Sequence, residues 1–239
     1  MKSKYIHEEN VHNTDAASII VPFVINLLNP KSIADIGCGL GTWLKVFQNY
    51  NVKDVIGIDG NHLNKNQLVI DKDLVLLKDL ELPFTLERKF DLAMSLEVAE
   101  HLKESSAKNF VSSITKLSDV ILFSAAITKQ GGQNHINEQL PTYWSNLFAL
   151  EGFTFIDVVR HNFWNNPKVD IWYKQNIFLI VKNEKLEDFN NITRFNQLDI
   201  IHPDLYISKL QQIEEGRMGL SFPIKVLTKT LIRGFKKLF

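Results

Sequence analysis

Short apolar runs alternate with stretches of helical spacing along most of this 239-residue chain. Residues 14–28 carry apolar side chains at three- and four-residue steps, which predicts a helix that Pro22 splits or kinks. Residues 32–36 read as a buried strand, 37–41 as a glycine-rich turn, and 42–48 as a helix capped by Thr42. Further strands are predicted at 54–58, 74–77, 90–94, 120–125, 153–158 and 177–181. Helices are predicted at about 104–117 and 139–150, the second with Pro141 in its first turn. Strands alternating with helices predict one open α/β sheet joined by crossovers. After residue 181 the sequence turns polar and irregular, so the domain edge is placed there. Residues 1–182 are read as the main domain, including an N-terminal helical lid. Residues 183–239 are read as a polar linker and a helical appendage that starts near His202.

Composition narrows the class. Apolar residues make up 45% and charged residues 23%, which is globular and not disordered. Lys+Arg and Asp+Glu are both 27, so overall charge gives no reason to expect a nucleic-acid partner. A single cysteine, Cys38, can form neither an internal disulfide nor a cysteine-rich metal site, which favours a reducing, cytoplasmic setting. The polar opening MKSKYIHEENVHN predicts no cleaved signal peptide, and no apolar run reaches membrane-spanning length.

The strongest local signal is SIADIGCGLGTW at 32–43. A strand delivers the chain into Gly37, Gly39 and Gly41, whose missing side chains let a ligand approach the backbone. The spacing G-x-G-x-G departs from the dinucleotide fingerprint G-x-G-x-x-G, which disfavours an oxidoreductase. Asp35 precedes the turn and suits a cationic or amine-bearing ligand. Asp59 ends the second strand eighteen residues after Gly41, where a carboxylate can accept both hydrogen bonds of a ribose diol. Asp79 and Leu80 follow the third strand, placed to hold an adenine ring. Turn glycines and strand-end caps explain each residue singly but not their order.

DIGCGLGTW resembles the first motif of class I S-adenosylmethionine-dependent methyltransferases, and FDLAMSLEVAEHL at 90–102 resembles their segment after the fourth strand. The form is similar to that of ubiquinone-biosynthesis-type and other small-molecule O-methyltransferases, over roughly residues 15–181. The resemblance implies a doubly wound, seven-stranded, mostly parallel sheet whose last strand is antiparallel. It implies S-adenosylmethionine as cofactor, with Asp35, Gly37, Cys38, Gly39, Gly41 and Trp43 bordering its methionine part. Asp59 would bind the ribose, Asp79 and Leu80 the adenine, and Leu96, Glu97 and His101 would close over the cofactor.

Methyl transfer to a hydroxyl needs an aligned acceptor and a base. His135 is the first candidate for the base, because a Gly- and Asn-rich loop gives it little packing role; His101 is the second. Glu138 either orients one of these rings or favours the N-terminus of the helix that follows. Asn137, Tyr143, Trp144 and Trp164 are candidate acceptor-binding residues, the aromatic ones as a wall. No metal is required, although His101, His135 and Glu138 could form a site in space. GGQNHINEQLPTYW resembles a segment of saccharide and secondary-metabolite methyltransferases and so favours a small-molecule hydroxyl. Nitrogen or carbon acceptors, and a non-catalytic cofactor-binding protein, stay open. The tail PIKVLTKTLIRGFKKLF places apolar residues on one helical face and basic ones around it. It packs on protein, in a homo-oligomer among other arrangements, or residues 223–239 lie on an anionic membrane face.

Overall fold

Alternate residues along the inner strands enter two separate hydrophobic clusters. On the first strand Ile33 joins one cluster while Ala34 and Ile36 join the other; on the fifth, Leu122 and its neighbours Ile121 and Phe123 divide in the same way. That period of two marks a sheet buried on both faces. The computed structural model describes residues 13–214. The polar leader at residues 1–12 and the basic tail at 223–239 fall outside the described residues.

Seven strands form the sheet: β1 (Ser32–Ile36), β2 (Asp54–Asp59), β3 (Val75–Leu77), β4 (Leu92–Leu96), β5 (Val120–Ser124), β6 (Phe153–Ile156) and β7 (Phe178–Lys182). Their spatial order is β3-β2-β1-β4-β5-β7-β6. β1 to β5 pair in parallel, and β7 runs antiparallel to both β5 and β6. This is the doubly wound, mostly parallel arrangement expected, with the last strand reversed.

Helices cover both faces. α1 (Asp15–Leu28) buries Ala17, Ile20, Val21 and Val24, spaced by three and four, and α2 (Thr42–Asn49) buries Leu44 and Phe47 in the same cluster. Pro22 stays inside an unbroken α1, and Asn29 ends it in the left-handed conformation with its N–H on the Ile25 carbonyl. The opposite face is covered by α3 (Ala107–Thr115) and α4 (Pro141–Leu150), through Phe110, Ile114, Trp144 and Phe148.

Two helices lie where loops were expected, α5 (Val158–Phe163) and α6 (Ile171–Asn176). Val158, expected in a strand, starts α5 and is buried among the residues of the first cluster. Inside this region Arg160 is fully buried and pairs with Asp157; it also donates to the carbonyls of Gln175, Gln197 and Leu198. Its guanidinium lies 4.1 Å over the Phe178 ring. Residues 195–200 are thereby held to the same body as the sheet.

The chain divides into two compact units, Met1–Ile200 and Ile201–Phe239. In the second, α7 (Pro203–Glu214) begins with a proline, which loses no required donor there. It exposes Tyr206, Ile207, Leu210 and Ile213. Among the described residues, no helix is long and apolar enough to cross a membrane.

Candidate active site

β1 and β4 are neighbours, but their crossovers leave in opposite senses, toward β2 and toward β5. Such a switch point opens a crevice beyond the carboxyl ends of the strands. A cavity of ≈ 1180 Å³ occupies that edge, lined from the loops after β1, β2, β3, β4 and β5, and by α6.

The glycine loop builds one wall. Gly37, Gly39 and Gly41 all have positive φ, at 80°, 52° and 80°. A Cβ on Gly37 would lie 2.3 Å from Val98 Cγ2, and one on Gly41 2.6 Å from Ile70 Cγ1, so side chains there would push the loop off its neighbours. Asp59, at the end of β2, accepts from the N–H of Gly39 through Oδ2 at 2.8 Å and from that of Gly60 through Oδ1 at 2.6 Å. Burial, and then the nearby Asp59 carboxylate, push the Asp35 carboxyl up to about 8. Burial and the same two carboxylates hold the Cys38 thiol well above its usual range, so it is not a reactive thiolate.

Asp35, Gly37, Cys38, Gly39, Trp43, Asp59, Asp79 and Leu80 therefore all reach the cavity, as do Leu96, Glu97, His101 and His135. Gly41 shapes the loop from behind, with Ile70. Tyr173 and Trp172 from α6 complete the wall; the Tyr173 ring packs edge-on against Trp43 at 5.3 Å, and its hydroxyl oxygen accepts from Trp43 Nε1 at 3.4 Å. No motif marked these two residues. The aromatic pair WY just before the last strand was the one signal available.

Beyond β4 the polypeptide tightens. Glu97 sits at φ 54°, a conformation unusual for a residue with a side chain, and its N–H meets the Ser124 hydroxyl oxygen at 2.9 Å. Its carboxylate accepts from Asn176 Nδ2 at 3.1 Å and Gln130 Nε2 at 3.3 Å. Desolvation still pushes it up to about 7. Glu100 is fully buried, and burial and then Glu97 drive its carboxyl well above the usual range.

The loop after β5 docks here through the N–H groups of Ile136 and Asn137, both on the Glu100 carbonyl. This brings the His135 ring to 4.8 Å from that of His101, edge to face. His135 Nδ1 lies 3.0 Å from Glu138 Oε1, and Nε2 lies 4.0 Å from Glu100 Oε1. Glu138 also accepts from the N–H groups of Lys129 and Gly131, so its carboxylate fastens the loop. Burial and the adjacent His135 push His101 down to about 4, leaving it neutral at physiological pH.

Other expected acceptor residues go elsewhere. Trp144 is 2% exposed and packs between Phe123 and Tyr143. Asn137 is buried beneath the loop, where its side chain accepts from Gln139. Trp164 packs edge-on against Phe195, near Arg160. None of these lines the cavity, nor do Tyr143 and Glu138.

Residues 7–159 match the methyltransferase domain family, well over half of the chain. The chain belongs to that family. As a class I S-adenosylmethionine-dependent methyltransferase, it uses S-adenosylmethionine as methyl donor, and the site fits the donor in two ways. The glycine loop leaves its backbone open to the cavity, and the acids Asp35 and Asp59 suit a cationic nucleoside. No curated protein matches the sequence. Among solved structures, the methyltransferase is similar to an S-adenosylmethionine-dependent methyltransferase from Clostridium acetobutylicum (TM-score 0.52, 11% identity, 71% of this chain and 92% of that one). It is also similar to DesVI of Streptomyces venezuelae (0.51, 13%, 70% and 92%). Human N-acetylserotonin methyltransferase matches over 70% of this chain and 51% of its own (0.50, 15%). At these identities the likeness is one of fold.

Proposed function

We propose that the methyltransferase methylates a hydroxyl of a small molecule, a saccharide or secondary metabolite. The observation that carries this reading is the imidazole of His135, held by Glu138 at Nδ1, with Nε2 on the side of Glu100 and the ring against His101. S-adenosylmethionine, when bound, supplies an electrophilic methyl carbon on a sulfonium. The chain does the rest. The glycine loop and Asp59 take the nucleoside end. Asp35 meets positive charge. Trp43, Leu80 and Tyr173 keep the cavity wall apolar and limit water. The Glu97, Glu100, His101 and His135 cluster receives the acceptor and draws off its proton.

The test is a screen with methyl-labelled donor against hydroxylated metabolites, nucleotide sugars, amines and RNA. Label on an oxygen of a small molecule is the expected result. Label on RNA, or only on nitrogen or carbon, would overturn the reading. His135→Ala should lower turnover about a hundredfold while leaving affinity for S-adenosylhomocysteine nearly unchanged.

A further inference from the structure

Six carboxylates line the cavity, those of Asp35, Asp59, Asp79, Glu81, Glu97 and Glu100, and among the described residues no lysine or arginine joins them there. The donor brings one net positive charge, which answers Asp35 and Asp59 beside the glycine loop. Glu100 lies after β4, away from that loop. That side chain is 0% exposed, and neither of its carboxylate oxygens makes a hydrogen bond of good geometry. A buried polar side chain whose atoms lack hydrogen-bond partners is rare, and a ligand that it is shaped to hold is one reason for it.

We propose that Glu100, His101 and His135 bind a divalent transition-metal ion. One donor atom from each lies within 4.8 Å of the others. Three donors about 2.0–2.2 Å from one ion sit at most roughly 3.6 Å apart, so a contraction of a little over an ångström, within reach of side-chain rotation, closes the site. The supporting groups are in place. Glu138 fixes Nδ1 of His135 and turns Nε2 toward Glu100, as carboxylates behind metal-bound histidines do. Gly132 lets the backbone pass close to that ring; a Cβ there would stand 2.3 Å from its Nε2. Glu97, tied by Asn176 and Gln130, adds a second negative charge beside the ion. The sequence reading needs no metal and counts Glu138 among possible ligands; the assembled side chains place Glu138 behind the site instead. Two nitrogens and one oxygen suit Mn²⁺, Fe²⁺, Co²⁺ or Zn²⁺ over Mg²⁺ or Ca²⁺, which prefer all-oxygen sets.

This deepens the reading given under Proposed function and rests on it for the acceptor. An acceptor hydroxyl ligating the ion loses its proton more readily, and with the His135 nitrogen taken up as a ligand that proton passes to solvent in place of the imidazole. Its oxygen then forms the new bond to the methyl carbon while the breaking carbon–sulfur pair stays on sulfur.

The experiment titrates Co²⁺, followed by its visible absorption, and Mn²⁺, followed by paramagnetic resonance. It uses full-length protein stripped with a chelator, with neither donor nor acceptor present. One ion per chain is expected, displaced by Zn²⁺ and not by equal Mg²⁺. Glu100→Gln and His135→Ala should each weaken it about tenfold or more. Retained S-adenosylhomocysteine binding shows that a variant is folded, and His135, on a partly exposed loop, is the safer of the two. Absence of a stoichiometric ion in the wild type, or equal binding in both folded variants, would overturn the site. Metal-free protein that methylates a hydroxyl at full rate would remove the ion's part and leave the proposed function standing. Metal-loaded protein that labels no hydroxyl would do the reverse.

Discussion

The Asp59 carboxylate holds the glycine loop by the N–H of Gly39, at 2.8 Å, while facing the cavity at the carboxyl edge of the sheet. One side chain thus shapes the loop and, as the proposed ribose ligand, keeps lone pairs for a diol. Asp59→Ala should weaken S-adenosylhomocysteine binding about tenfold to a hundredfold, since hydrogen bonds to a charged group contribute about 1.5–3 kcal/mol. Calorimetry reads this directly. Binding of NAD in place of either sulfur nucleoside would contradict the assignment of the pocket.

Gly37 is constrained twice, by φ of 80° and by Val98. Gly37→Ala should cost about 1–3 kcal/mol of stability and abolish measurable donor binding. Adding Val98→Ala removes the collision but not the backbone strain. The double variant should therefore recover only part of the loss in a thermal melt; full recovery would mean that φ carries no penalty.

Asp35 gives the ligand-free protein a pH slope. Its carboxyl titrates near 3.8 in the unfolded chain and about 8 in the folded one. Between those values the folded state keeps a proton that the unfolded chain has released. Its contribution to stability therefore falls as pH rises from about 4 to about 8 and is flat above that. Asp35→Asn lacks this slope, so the variant should gain on the wild type steadily across melts from pH 5 to pH 8. Parallel curves would contradict a raised Asp35.

The legible parts of the sequence were those whose physics is local. β5 is buried throughout and reads as a continuous apolar run, while β1 and β2 are short apolar runs broken by Asp35 and by Gly57. The glycine spacing and Asp59 carry their geometry in sequence order. β4 was expected at 90–94 and runs Leu92–Leu96, because the Phe90 N–H goes to the Leu117 carbonyl, outside the ladder. α5 and α6 have six residues each, too short for periodicity to register. His101 and His135 were each suspect, but only the docking of one loop on the Glu100 carbonyl shows that their rings touch. Asn176 and Gln130 could not be anticipated, since their role is to tie down Glu97 across long sequence gaps. Trp144 misled for a plain reason: on a short helix, an apolar side chain beside a polar loop is as readily core as wall.

Arg160 and Asp157 make a pair that the sequence hid inside an expected strand and loop. Burial raises Asp157 despite its partner, so the pair is finely balanced. Arg160→Met should cost about 3–5 kcal/mol by leaving Asp157 buried and alone. Asp157→Asn combined with Arg160→Met should cost less than the arginine change by itself, as chemical denaturation can show. An equal or larger loss in the double variant would place Arg160's contribution in its three carbonyl contacts.

The reversed strand β7 also sets an order of assembly. β6 hydrogen-bonds to β7 and to no other strand of the sheet, and β5 meets β7 on its outer side. As the chain emerges during synthesis, residues 153–156 have no ladder to join until residues 178–182 appear. Until then β5 presents a bare edge, the kind of surface on which chains aggregate. The intervening segment carries α6, with Trp172 and Tyr173, so that wall of the cavity stays untethered until the strand is seated. The cavity is completed by nearly the last part of the sheet to be made, and a nascent chain can be closed as a fold only when its crevice is also finished.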